Sequence, residues 1–209
     1  MQITKLDAAR RQIDSAVGLY FDEGDEVSIH TLVGAAHILI TDLSSTANQE
    51  TLIERHIKRE KRWEFEKAIR APQNFLKHAD RDPQAVLDFE PHATEPLLLI
   101  DIETFRELTG SITDSMKAFL TYAAATWGRA AFEAVPGDVL AGVSEVAEQV
   151  PKREFFRFAS KRCAGAPAPF SVERRVDDRR AEPGSIAKGD RSLPVGQFVC
   201  PIGSSPSDE

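Results

Sequence analysis

The chain has 209 residues, 42% of them apolar, with 33 acidic against 26 basic side chains and a formal charge of −7. That length and apolar share support a hydrophobic core, and the acidic balance excludes a protein that holds nucleic acid through its overall charge. Two cysteines, Cys163 and Cys200, have no ligand-like spacing, which excludes a disulfide scaffold and a zinc site and leaves two reduced thiols.

From Thr4 the apolar positions Leu6, Ala9, Ile13, Ala16, Val17 and Tyr20 recur at steps of three and four, which predicts an amphipathic helix. It should stop at Asp22–Asp25, with Gly24 in the left-handed closing conformation. Val27, Ile29, Leu32, Val33, Ala36, Leu39, Ile40 and Leu43 predict a second helix with a broader apolar face, and hence a more central one. A third is expected over about 50–70, with Leu52, Ile53, Ile57, Trp63, Phe65 and Ile69 as its apolar members. Pro72 should disturb or end it, or open a new helix in its own first turn. Residues 85–90 read as an irregular linker.

Thr94, followed by Pro96, should cap a fourth helix that runs to Gly110. Thr113 or Asp114 should cap a fifth, ending before Pro136. A sixth is expected over 138–150 and a seventh from Pro151 to about Arg162. Residues 164–209 hold six of the twelve prolines among clustered charges, a composition that predicts a disordered tail. The N-terminus has no signal-peptide run, no stretch nears the roughly 20 apolar residues of a membrane span, and a cytoplasmic location follows.

The densest polar stretch runs from Gln73 to Pro83. His78 is its leading candidate for chemistry, because an imidazole gives or takes a proton near neutral pH. Asn74 lies four residues before it and could orient a substrate oxygen. Lys77 or Arg81 could hold a phosphate, and Asp80 could fix the imidazole tautomer. The plainer reading is a turn network around Pro72 and Pro83. His30 and His37, seven apart on the second helix, share one face but lack the closer spacing of metal ligands. They read as buried, hydrogen-bonded residues, with His30 also assigned to the ligand-binding set. Residues 54–70 carry three net positive charges and residues 1–50 five net negative ones, which sets a modest basic face beside the motif.

Three segments, Lys5–Gln12, Val27–Leu32 and Asn74–Pro83 with its NFxKHADRDP pattern, are similar to signatures of an uncharacterised family of small bacterial all-helical proteins. The similarity covers about residues 3–110 and implies a fold rather than an activity. More distantly the arrangement resembles the HEPN superfamily of four-helix bundles. That resemblance implies either an inactive partner-binding module or a metal-independent ribonuclease, in which an Arg and a His act on RNA across a dimer interface. Arg70 and His78 would fill those roles here, at a longer spacing than the superfamily uses.

The expected architecture is all-α: a helical bundle over residues 1–110, additional helices over 111–163 and the tail over 164–209. The expected function is a dimeric binding or interaction module with a polar pocket around Asn74 and His78. The alternative is an endoribonuclease using His78 and Arg70. No metal or cofactor is expected; the expected partners are a second copy, another protein or RNA, and not a membrane.

Overall fold

The computed structural model describes residues 1–78, 80, 82–127 and 137–164, apart from the side chains of His56 and of residues 137–142. Among them every regular element is helical. Thr4 opens α1 (Lys5–Phe21): its hydroxyl accepts the Asp7 N–H at 3.0 Å, and the Asp7 carboxylate accepts the Thr4 N–H at 3.3 Å. This reciprocal cap satisfies two of the donors that a helix start leaves open. The predicted stripe is the buried face, for Ala9, Ile13, Ala16, Val17 and Phe21 are wholly removed from solvent. Ile13, Val17 and Phe21 each contribute about 1.5–3 kcal/mol by that burial. The turn that follows corrects one expectation: Glu23, not Gly24, takes the positive φ, at 52°. Gly24 serves close approach instead, since a Cβ there would lie 3.2 Å from Leu19 Cδ2 and 3.3 Å from the Leu19 carbonyl oxygen.

Asp25 caps α2 (Glu26–Thr46) by accepting the Ser28 N–H at 2.7 Å. The helix is as central as its broad apolar face predicts, burying eight residues, from Ile29 and His30 through Val33, Gly34, Ala36, His37 and Ile40 to Ser44. By length and composition it also suffices to cross a membrane, contrary to the expectation that no segment does. The reason is that Ser and Thr interrupt an apolar run by residue type at little cost in hydropathy, while this helix carries only two charged residues, Glu26 and Asp42.

The single helix expected over 50–70 is two. Thr51 caps α3 (Leu52–His56) with a second reciprocal box to Glu54. Ile57 then turns extended, at φ −95° and ψ 126°, before α4 (Arg59–Lys77) begins. Arg62 seals the break, its Nε donating to the Ile57 carbonyl at 3.0 Å and its guanidinium to that of Glu54. Those are carbonyls that a helix end leaves unsatisfied. Pro72 neither ends α4 nor starts a new helix; the helix continues through it to Lys77. The carbonyl that loses its donor belongs to Ala68, which is exposed, so water can replace the missing N–H. Trp63, expected on the apolar face, is 68% exposed.

A 3-10 turn, Pro91–Ala93, leads into α5 (Thr94–Thr109), so Thr94 is a helical residue rather than a cap. Gly110 closes α5 as predicted, at φ 74°, with its N–H on the Arg106 carbonyl at 2.8 Å. The Thr113 hydroxyl accepts the Met116 N–H at 3.3 Å and starts α6 (Asp114–Trp127). The extension of that helix toward Pro136 lies outside the described residues, as do the predicted tail and Cys200. Two further helices, α7 (Gly137–Gln149) and α8 (Lys152–Cys163), begin and end within one residue of their predicted bounds. Met116, Phe119 and Leu120 of α6 and Phe155 of α8 join one core with the buried faces of α1, α2 and α5. Phe21 stands at its aromatic centre, stacked on Phe156 at 4.7 Å and edge-on to Tyr122 at 5.3 Å.

Candidate functional site

The residues predicted around Asn74 and His78 lie on or near the surface. His78 caps the end of α4, its N–H bonded to the Asn74 carbonyl at 3.0 Å, and its imidazole is 40% exposed, 3.9 Å from the Asp80 carboxylate. Asn74 and Lys77 are exposed. Arg81 lies outside the described residues. Arg70 pairs with Glu66 at 3.7 Å on its own helix. Eight residues along a helix amount to about 12 Å, so Arg70 and His78 do not share one contact point. His30 stands apart from this group, buried beside Thr94 of α5 and Phe89.

The buried polar groups gather elsewhere, at the junction of α2, α4 and α5. His30 Nδ1 lies 2.9 Å from Thr94 Oγ1, and His37 Nδ1 donates to Asp101 Oδ1 at 2.7 Å. Both pairs span the same sequence separation of 64, so α2 and α5 run side by side in the same direction. Between the two histidines, one helical turn from each, sits Gly34. Gln73 of α4 fills the notch it leaves, since a Cβ at Gly34 would come within 2.7 Å of Gln73 Nε2. Phe89 closes the upper end, edge-on to the His30 ring at 5.3 Å.

Satisfaction is incomplete. His30, Gln73 and Asp101 are exposed by 2%, 2% and 1%, yet His30 Nε2, Gln73 Nε2 and Asp101 Oδ2 have no hydrogen-bond partner within the protein. Each such atom costs about 1–3 kcal/mol relative to a satisfied one. Burial alone lowers the pKa of His30 and keeps its ring neutral. For His37 burial acts in the same downward sense, but the Asp101 charge and hydrogen bond outweigh it and the pKa rises. Burial pushes Asp101 up, partly offset by His37. Arg70 and Glu66 on α4 also reach His37 electrostatically, with opposite signs.

This arrangement fixes one imidazole by a carboxylate, which sets its tautomer and leaves its other nitrogen available, and it aims a second imidazole and an amide into the same seam. Such groups can receive a polar ligand. Among the described residues no group of three or more His, Cys, Asp and Glu side chains is placed to hold a metal ion. Two surface clefts, one beside Leu6, Arg10 and Phe105 and the other beside Thr121, Phe155 and Cys163, lie away from the seam.

Sequence reasoning placed the two histidines correctly as buried and hydrogen-bonded but did not find Gln73, Thr94 or Asp101. A signal existed: Asp101 interrupts the apolar run Leu97–Ile102, and Thr94 and Asp101 repeat the seven-residue spacing of His30 and His37.

By fold the chain is an all-α protein. No protein-family model, curated protein or solved structure matches it.

Proposed function

We propose that this protein is a helical binding module whose ligand site is the seam between α2, α4 and α5, with the exposed Asn74, Lys77 and His78 forming its rim. One observation carries this reading: three polar atoms with no protein hydrogen-bond partner are buried on three adjoining helices, where apolar atoms would be more stable. A group retained at a cost to stability marks a role other than stability. Gln73→Leu keeps the volume and removes the stranded amide. The variant is expected to gain about 1 kcal/mol, raising Tm by about 2–4 °C. A lower Tm would mean that the amide holds the helices together, and the reading fails.

The partner-facing surface is the outer side of α4, where Trp63 is 68% exposed with the Lys67 ammonium 5.1 Å over its ring. The module acts as a homodimer through this surface, and sedimentation velocity of Trp63→Ala against the parent chain tests that. A second reading, a metal-independent endoribonuclease, draws on the exposed His78 imidazole next to Asp80. Its test is cleavage of a mixed RNA pool in EDTA, which His78→Ala should abolish while keeping its helical circular dichroism.

A further inference from the structure

We propose that α4 is a displaceable cover over the seam, latched by Gln73 in the notch at Gly34, and that a proton taken up by His30 releases it. The inference rests on the reading of the seam as a binding site and supplies its access and its regulation.

The geometry carries three parts of this. First, α4 is lightly held: of its 19 residues only Gln73 is buried, while Phe65, Ile69, Pro72, Phe75 and Leu76 are half-buried, and of these Ile69 packs on the core. Second, the latch is specific, because the notch exists only while position 34 lacks a Cβ. Third, His30, Gln73 and Asp101 are each at least 98% buried, so any ligand of theirs needs a covering segment to move. The helix with the least buried surface is the one that can do so. Its N-terminal end stays tethered by Arg62 on the Ile57 and Glu54 carbonyls. Its C-terminal end, beyond Gln73, stops at the half-buried His78, and the described residues 82–90 ahead of the 3-10 turn form no helix or strand.

His30 is the trigger on chemical grounds. Its Nδ1 is committed to Thr94 and its Nε2 is sealed without a partner, so a charged ring in the closed form would be desolvated and unanswered. The ionisable groups around it are placed otherwise. On its own helix His37 is tied to Asp101 of α5, and Glu26 is exposed. On α4, Glu66 and Arg70 pair with each other. Near the 3-10 turn, Glu90 and His92 are exposed. On α5, Glu95 accepts from the Tyr20 hydroxyl, while α1 offers α2 an apolar face of Ile13, Ala16 and Val17. The sign follows: burial lowers the pKa of His30 in the closed form, so protons favour the open form once the pH falls below the ordinary imidazole value of about 6.5. Between pH 7.5 and 5.5 the opening constant should rise, by at most about 10-fold.

Hydrogen–deuterium exchange of the full chain reads this directly, without a ligand. After correction for intrinsic rates, α4 amides should lose protection at pH 5.5 relative to 7.5, by at most about 10-fold, while α1 and α2 keep theirs. His30→Gln keeps a side-chain hydrogen bond to Thr94 but cannot take the proton, and should hold α4 equally protected at both pH values. Gly34→Ala fills the notch and should leave α4 open at both, with α1 and α2 as the internal check that the core has folded. Protection of α4 equal to that of α2 at both pH values would overturn the cover, and a pH response that survives in His30→Gln would overturn the trigger. These outcomes are separate from the Tm of Gln73→Leu: a cover that moves over a seam whose amide proves stabilising would leave a hinge but no binding site.

Discussion

The helices α2 and α4 are nearly the same length, 21 and 19 residues, and both carry apolar side chains at helical spacing, yet α2 buries eight residues and α4 one. The difference lies in what faces them. The broad stripe of α2 meets α1 on one side and α5 on the other, so its stability is a property of the core. The helix α4 keeps its shape through local means, the Arg62 seal at its start, the Lys61–Glu64 and Glu66–Arg70 pairs, and the Lys67–Trp63 contact along its length. Exposed pairs of that kind contribute a few tenths of a kcal/mol each. A helix can therefore be well formed and still weakly held, and the one buried side chain of α4 is polar.

The largest effect that would break the contrast is expected at Asp101. Asp101→Ala strands the His37 imidazole beneath α4 and should cost about 3–5 kcal/mol in urea denaturation, as removal of one partner from a buried pair does. A loss below about 1 kcal/mol would take the α2–α5 pairing out of the core's account. Next comes Gly34→Ala, expected to cost about 1–3 kcal/mol by overpacking against Gln73. A double-mutant cycle with Gln73→Ala should recover most of that, whereas additive costs would show that the methyl strains something other than the latch.

A pH scan sharpens the comparison through α5. Burial, only partly offset by Arg106 and reinforced by Glu107, pushes the Glu103 carboxyl up to about 7. The folded form then binds the proton more tightly than the unfolded chain, so this group's contribution is complete below about pH 4.5 and is lost as pH rises toward 7. Glu103→Gln should make that downward slope shallower, leaving the part of the same sign that His37 and Asp101 contribute and the opposite, acid-side loss due to His30; an unchanged slope would assign all of it to the other groups. The smallest effect is expected at Trp63→Ala, within about 0.5 kcal/mol of the parent at concentrations where both are monomeric, since the ring covers no core of its own chain.

Much of the helical layout was legible from periodicity and from caps such as Thr4, Asp25 and Gly110, because local hydrogen bonding and the 3.6-residue repeat decide it. The break at Ile57–Lys58 was not, since it depends on Arg62 reaching back to two carbonyls five and eight residues away. Pro72 misled because its penalty is set by whether the freed carbonyl finds water, a matter of exposure rather than residue type. The candidate site was half legible. His30 and His37 stood out as a spaced pair, but Thr94 appeared as a cap and Asp101 as a lapse in an apolar run, and only their placement beside α2 gives them their roles. The motif from Asn74 to His78 drew attention by density of charge, which is what a solvated helix end also shows.

The shared direction of α2 and α5 has a consequence for how the chain assembles. After α2 the polypeptide must travel back by the full length of that helix before α5 can begin, and α4, about 28 Å long, makes most of that return. The α1–α2 hairpin needs only a short turn, whereas docking His30 on Thr94 closes a loop of some 60 residues, at a cost that grows with the logarithm of its length. The hairpin is thus the natural nucleus and α5 the late arrival. A shortening substitution such as Ile13→Val should slow folding, and Ile102→Val should mainly speed unfolding.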